Sequence, residues 1–417
     1  MPQTVSPAEI AALLKPKMSV YLPGTVSESL VVAEVLKSAP DACAGVHFTG
    51  VWLPGINRTD YAGLHETSGA TAFFVGRELH ESFAAGRIEY LPWSYFEIYR
   101  ALRDQLKFDL ALFQVSPPDQ SGRMSLGIAN DFSPALLAKD TIKVVHINPA
   151  MPRTRGAASL NLKDVDYMVE ADSPLITDHP VADETWNAIG RQIANVLRDG
   201  DTLEVGIGRV QSVFGAFAGA RRLRLHSGAV SSTLLSLIQA GSIAGEDGVI
   251  TAGIALGDPS FHSFIADNPL FRFAPVGETH DIETLRRIPR FVAINGVIEV
   301  DLFGQANAEM VSGRQVSGAG GLVDFMRGAR LSPGGCGIVA LPATSGGGAT
   351  SRIVPRLDPG TAVSVARGDM DMVATEYGVA ELRMKSVDAR AEALISIAAP
   401  DFRDSLSAAW RDIRKRL

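Results

Sequence analysis

A few side chains in this 417-residue sequence have the types needed to move a proton or to hold an anion. His226, in Leu225-His226-Ser227-Gly228, is the one residue of its segment whose ordinary pKa of about 6.5 suits proton transfer near neutrality. An orienting or packing role is the other reading of such a histidine. Ser227 can donate a hydrogen bond, but no aspartate–histidine pair at a recognisable spacing supports it as a nucleophile. Glu299 and Asp301 stand two apart, so on a strand they would share one face, and two close carboxylates can raise one pKa enough to make a general base. Alternatively they hold loops by hydrogen bonds. Backbone amides bared by Gly318, Gly320 and Gly321 can approach a developing oxyanion, while those of Gly346, Gly347 and Gly348, with Arg352 adding charge, can meet phosphate oxygens. Taken alone, either glycine run is a flexible turn.

The elements that must position these residues follow from short, β-branched apolar runs closed by Gly or Pro: Met18 to Leu22, Leu110 to Val115, Ile142 to Ile147, Thr202 to Ile207, Phe291 to Ile294 and Gly337 to Leu341. Between them lie helical segments, among them Ser6 to Leu14, opened by Ser6-Pro7, and Trp186 to Leu197. Strands alternating with helices imply an α/β fold with largely parallel sheets. A shift to prolines and small polar residues at Ser173 to Asp183 marks a linker, giving domains at 1–183 and 184–417. Glu204-Val205-Gly206-Ile207-Gly208 closes a strand before the helix-like run Val210 to Ala218; without a third glycine it reads as a tight turn rather than a dinucleotide loop.

Composition removes several function classes. A net charge of −7 argues against a nucleic-acid partner, and Arg221-Arg222-Leu223-Arg224 reads as a solvated edge. Cys43 and Cys336 fit neither a disulfide framework nor a metal site, so a reducing, cytoplasmic setting is expected and no metal is. The N-terminus lacks a signal-peptide pattern and no long apolar run suggests a membrane span.

From Gln114 to about Phe402 the sequence resembles the acetyl-CoA hydrolase/transferase family, which includes 4-hydroxybutyrate and succinyl-CoA:acetate CoA-transferases. The closest block is Ala293-Ile-Asn-Gly-Val-Ile-Glu299-Val-Asp301-Leu-Phe-Gly-Gln305-Ala-Asn307, similar to the family's AINSALEVDLTGQVN. Gly318-Ala-Gly320-Gly321-Leu322-Val-Asp324-Phe325 resembles GVGGQVDF with Leu322 replacing a glutamine, and Leu341-Pro-Ala-Thr-Ser-Gly346-Gly-Gly348-Ala-Thr-Ser-Arg352 resembles LPSTAKGGTISR without its lysine. Thr375-Glu-Tyr-Gly-Val-Ala-Glu-Leu-Arg383 and the N-terminal blocks Val115-Ser-Pro-Pro-Asp119 and Asn148-Pro-Ala-Met-Pro152-Arg153-Thr complete the likeness.

The resemblance implies two open α/β domains of the CoA-transferase type with the active site between them, in a homodimer. It implies coenzyme A as a co-substrate, with no permanently bound cofactor, and acyl-CoA and a small carboxylic acid as partners. The 318–321 loop would face the thioester oxygen, the 346–348 loop with Arg352 would bind CoA, and Arg153 would pair with a substrate carboxylate. The family's HSEMFSDG or HTEMISDG carries a glutamate that attacks the thioester, and Gly228 stands at that position. Without the carboxylate, a glutamyl-CoA intermediate is unavailable there, and the vacated side-chain space is expected to admit water. The leading expectation is therefore hydrolysis of an acyl-CoA thioester, or of a β-dicarbonyl C–C bond. A transferase with a relocated carboxylate, nominally Glu299, and a non-catalytic CoA-binding protein are the alternatives.

Overall fold

The computed structural model describes residues 2–177, 183–219 and 222–417. Residues 178–182 of the expected linker, and Arg221 of the basic run, lie outside them. Backbone contacts divide the chain into two compact units, one of Met1–His179, Ile250–Thr279 and Val316–Gly320, the other of Pro180–Val249, His280–Gln315 and Gly321–Leu417.

The first unit is built on an eight-stranded parallel sheet in the order Gln3–Thr4, Tyr167–Glu170, Ile142–Ile147, Leu110–Val115, Ser19–Tyr21, His47–Gly50, Gly69–Ala72, Ile88–Tyr90. All six residues of Leu110–Val115 are buried, as a central parallel strand covered on both faces requires. Alternation then deals the side chains to two cores: Val20, Leu110 and Leu112 enter one, Tyr21, Ala111 and Phe113 the other. Helices begin where the sequence caps them. Ser94 and Glu97 form a reciprocal capping box at Tyr95–Asp104, and the Ser29 hydroxyl accepts from Val32 N at the start of Leu30–Ser38.

In the second unit, strands run in the order Arg224–Ser231, Thr202–Val205, Phe291–Gly296, Cys336–Ala340 and Met372–Thr375, all parallel, with Gly378–Glu381 returning antiparallel. The fold is thus α/β with largely parallel sheets. Strand ends differ from the sequence-based expectation by one or two residues, the usual fraying of boundaries. The run expected as a helix after Gly208 forms 3-10 turns over Arg209–Phe217 instead. Helix Leu322–Leu331 covers one face of this sheet, where Phe325 and Ala329 pack with Phe291, Ala293 and Leu285.

Candidate active site

Strand Arg224–Ser231 carries His226, Ser227 and Gly228 and lies beside Thr202–Val205 with Leu203 opposite Leu225. Ser227 is buried and its hydroxyl donates to the Val205 carbonyl at 3.2 Å, so it is a strap between strands. His226 emerges on the opposite face, buried, with its ring edge-on to that of Phe291 at 6.1 Å between centroids.

Gly228 has ordinary extended backbone, so its lack of a side chain is not a conformational requirement. The requirement is room. A Cβ on Gly228 would stand 2.9 Å from Cε1 and 3.1 Å from Nε2 of His280, and 3.7 Å from Phe325 Cε2. A Cβ on Gly321 would lie 2.5 Å from His280 Nε2. The His280 imidazole therefore rests against two glycines and on the Phe325 ring, 4.3 Å away between centroids. The space vacated by a side chain at position 228, expected to admit water, holds this ring. His280 is only 2 % exposed. Burial, with a smaller contribution from His226, pushes its pKa down to about 3, so the ring is neutral near pH 7. Gly321 also caps the N-terminus of the ten-residue helix Leu322–Leu331, whose first amides and dipole favour negative charge beside the ring.

Across the same face stands a buried carboxyl that motif reasoning passed over. Glu204 is 1 % exposed, and its Oε2 accepts from Asn295 Nδ2 at 2.6 Å. Burial drives its pKa well above the ordinary carboxylate value, against the hydrogen bonds that favour the anion.

Elsewhere in this unit, Glu299 and Asp301 lie on the short strand Glu299–Asp301. The Glu299 carboxylate accepts from Asn307 Nδ2 at 2.9 Å. Asp301 accepts from the Phe303 and Gln305 amides and the Gln305 side chain, and its pKa is raised by burial rather than by a neighbouring carboxylate. Gly346, Gly347 and Gly348 form an exposed turn with φ of 59°, 67° and 98°. Arg352 is half-buried beyond it; burial and then the charge of Arg209 lower its pKa, while Glu376 opposes the shift.

In the first unit, a side chain at Gly318 would collide with the Phe73 carbonyl, and Gly320, at φ 58°, accepts from the Tyr95 amide at 3.1 Å. Arg153 donates to the Arg123 carbonyl and lies 3.4 Å from the Asp119 carboxylate, which hydrogen bonds to Ser121 and the Arg123 amide hold down to about pKa 2.

Sequence models of the acetyl-CoA hydrolase/transferase N-terminal and C-terminal domains match residues 2–177 and 257–410. The chain is 34% identical over 389 residues to the 4-hydroxybutyrate coenzyme A transferase of Clostridium kluyveri, covering 91% of each. It belongs to the acetyl-CoA hydrolase/transferase family. Both activities occur among its relatives: the acetyl-CoA hydrolase of Saccharomyces cerevisiae is 24% identical over 394 residues, covering 80% of this chain and 73% of the yeast protein. Among solved structures, RipA from Yersinia pestis superposes with a TM-score of 0.91 at 27% identity, over 99% of this chain and 98% of that one. Within the family frame, His226, Gly228 and Gly321 come together around His280, a residue that carried no motif; Glu299 and the 346–348 loop belong to other parts of the same unit.

Proposed function

We propose that this chain is an acyl-CoA thioesterase in which imidazoles replace the nucleophilic carboxylate of the family's transferases. The observation that carries the reading is the His280 ring seated 2.9 Å from where a Gly228 Cβ would be. The first carbon of a glutamate side chain at 228 has no room, and polar ring nitrogens occupy the neighbourhood instead.

Water then attacks the thioester carbon. A C–O bond forms as the C–S bond breaks, and the proton lost by water passes through imidazole to the departing CoA sulfur, leaving a carboxylic acid and free CoA. Two histidines divide the work. His280, held neutral far below neutrality, is too weak a base to take the proton and orients the water by hydrogen bonding; His226 is the general base. Amides at the N-terminus of Leu322–Leu331, beginning at Gly321, supply the oxyanion donors, each such donor being worth about 2.7–4 kcal/mol in the transition state. The Gly346–Gly348 turn and Arg352 supply amides and charge for CoA phosphates.

The test is a panel of acyl-CoAs assayed for free thiol with and without acetate or succinate. Release of CoA without any acceptor is expected. The transferase activity of relatives such as that of Clostridium kluyveri favours a second reading, transfer through a carboxylate elsewhere such as Glu299. Strict dependence on a carboxylic acceptor would establish that reading and exclude the first.

A further inference from the structure

Glu204 sits where a structural role alone gives a carboxyl no advantage. Its one side-chain partner shown by distance, the Asn295 amide, would bond equally well to a neutral Gln oxygen, and burying an ionisable group in mid-sheet carries a desolvation cost that a Gln avoids. The sheet register points to another neighbour. Leu203 pairs with Leu225, and the Ser227 hydroxyl reaches the Val205 carbonyl, so Glu204 lies level with His226 on the adjoining strand. Residues level on adjoining strands project to the same face, and neighbouring strands lie about 4.7–4.9 Å apart. The His226 ring meets that of Phe291, which lies on the far side of the Thr202–Val205 strand, so the imidazole reaches over the strand that carries Glu204. Facing this pair are His280, beside Gly228, and the apolar rings of Phe291 and Phe325.

We infer that Glu204 is the positioning residue of His226, fixing the ring's tautomer and sharing the proton that His226 takes from water. The inference rests on the thioesterase reading of the site for its kinetic consequence, although not for its geometry. During turnover the carboxylate–imidazole pair gains one proton as the C–O bond forms and returns it to the CoA sulfur as the C–S bond breaks. Because burial also makes the Glu204 carboxylate hold a proton tightly, carboxyl and imidazole bind the last proton of the pair together, and the ionised pair is a stronger base than His226 alone.

Glu204→Gln keeps size and the bond to Asn295. It is expected to lower kcat by at least about 10-fold with KM little changed, and to move the acid limb of the kcat/KM profile to lower pH, because His226 becomes a weaker base. Nitrogen-15 spectra of histidine-labelled protein, with His226 assigned by a His226→Asn variant, read the pair without turnover: in the wild type the His226 ring proton should resonate downfield as for a carboxylate-bonded imidazole, and Glu204→Gln should abolish this. Wild-type protein with no thioesterase activity but this His226 signature would remove the proposed function and leave the pairing intact. Unchanged kcat, pH profile and ring signals in folded Glu204→Gln would overturn the inference. Should that variant not fold, an ordinary His226 ring signal in the wild type would overturn it as well.

Discussion

Gly228 and Gly347 are glycines for opposite reasons. Gly347 has φ of 67° and open space around the position of a Cβ, so its backbone demands glycine while its surroundings do not. Gly228 has extended backbone that any residue can adopt, but an imidazole stands where its side chain would begin. A turn glycine serves the path of the chain; a glycine under a neighbour's ring serves that neighbour. The difference marks Gly228 and His280 as a complementary pair, the ring standing where a side chain at 228 would begin.

The largest effect is expected from Gly228→Glu. Overpacking of this kind costs about 1–3 kcal/mol, so the variant should melt well below the wild type and form no glutamyl-CoA adduct detectable by borohydride trapping and mass spectrometry. Adding His280→Ala should return part of the lost stability. A Gly228→Glu protein with the wild-type melting temperature would break the comparison.

Titration sharpens it next. His280 takes its proton near pH 6.5 when unfolded but only near 3 when folded, so the unfolded chain binds more protons between those values. Its contribution is intact above about 6.5 and is lost as pH falls toward 3, with a slope approaching about 1.4 kcal/mol per pH unit. Chemical denaturation across this range should show a shallower slope for His280→Ala, whatever the cavity does to the level. Glu204 acts in the reverse sense. Its raised folded pKa means stability present below its ordinary value of 4.5 is lost as pH rises through the folded pKa, and Glu204→Gln should remove that loss.

The smallest effect belongs to Gly347→Ala. Left-handed backbone should cost about 1 kcal/mol with no clash, read as a small drop in melting temperature, and calorimetry should show weaker CoA binding. Unaltered CoA affinity would make the 346–348 segment a turn and nothing more.

Much of the fold was legible because its signals are local. Leu110–Val115 and Ile142–Ile147 begin and end where their runs do, since strands of a parallel sheet covered on both faces are mostly apolar. The resemblance assigned Gly228 the place of the family's glutamate, but nothing in the sequence pointed to the ring that packs against it. His280 lies in Gly277-Glu-Thr-His-Asp, a segment with no repeat or spacing to connect it with position 228, and only tertiary packing brings it there. Glu204 did leave a trace: one charged residue inside the run Thr202 to Ile207, which turned out to be buried at every position of its strand. A carboxyl in a strand of that kind is costly unless it is paired, and that cost was the usable signal.

The most direct measurement is a single turnover of acyl-CoA in water enriched in oxygen-18, with enzyme in excess and mass spectrometry of both acid and protein. Attack by water predicts one heavy oxygen in the released acid and none in the enzyme. A released acid without label, together with an oxygen-18 atom in an enzyme carboxylate, would show that a side-chain carboxylate had attacked the thioester, contradicting the account.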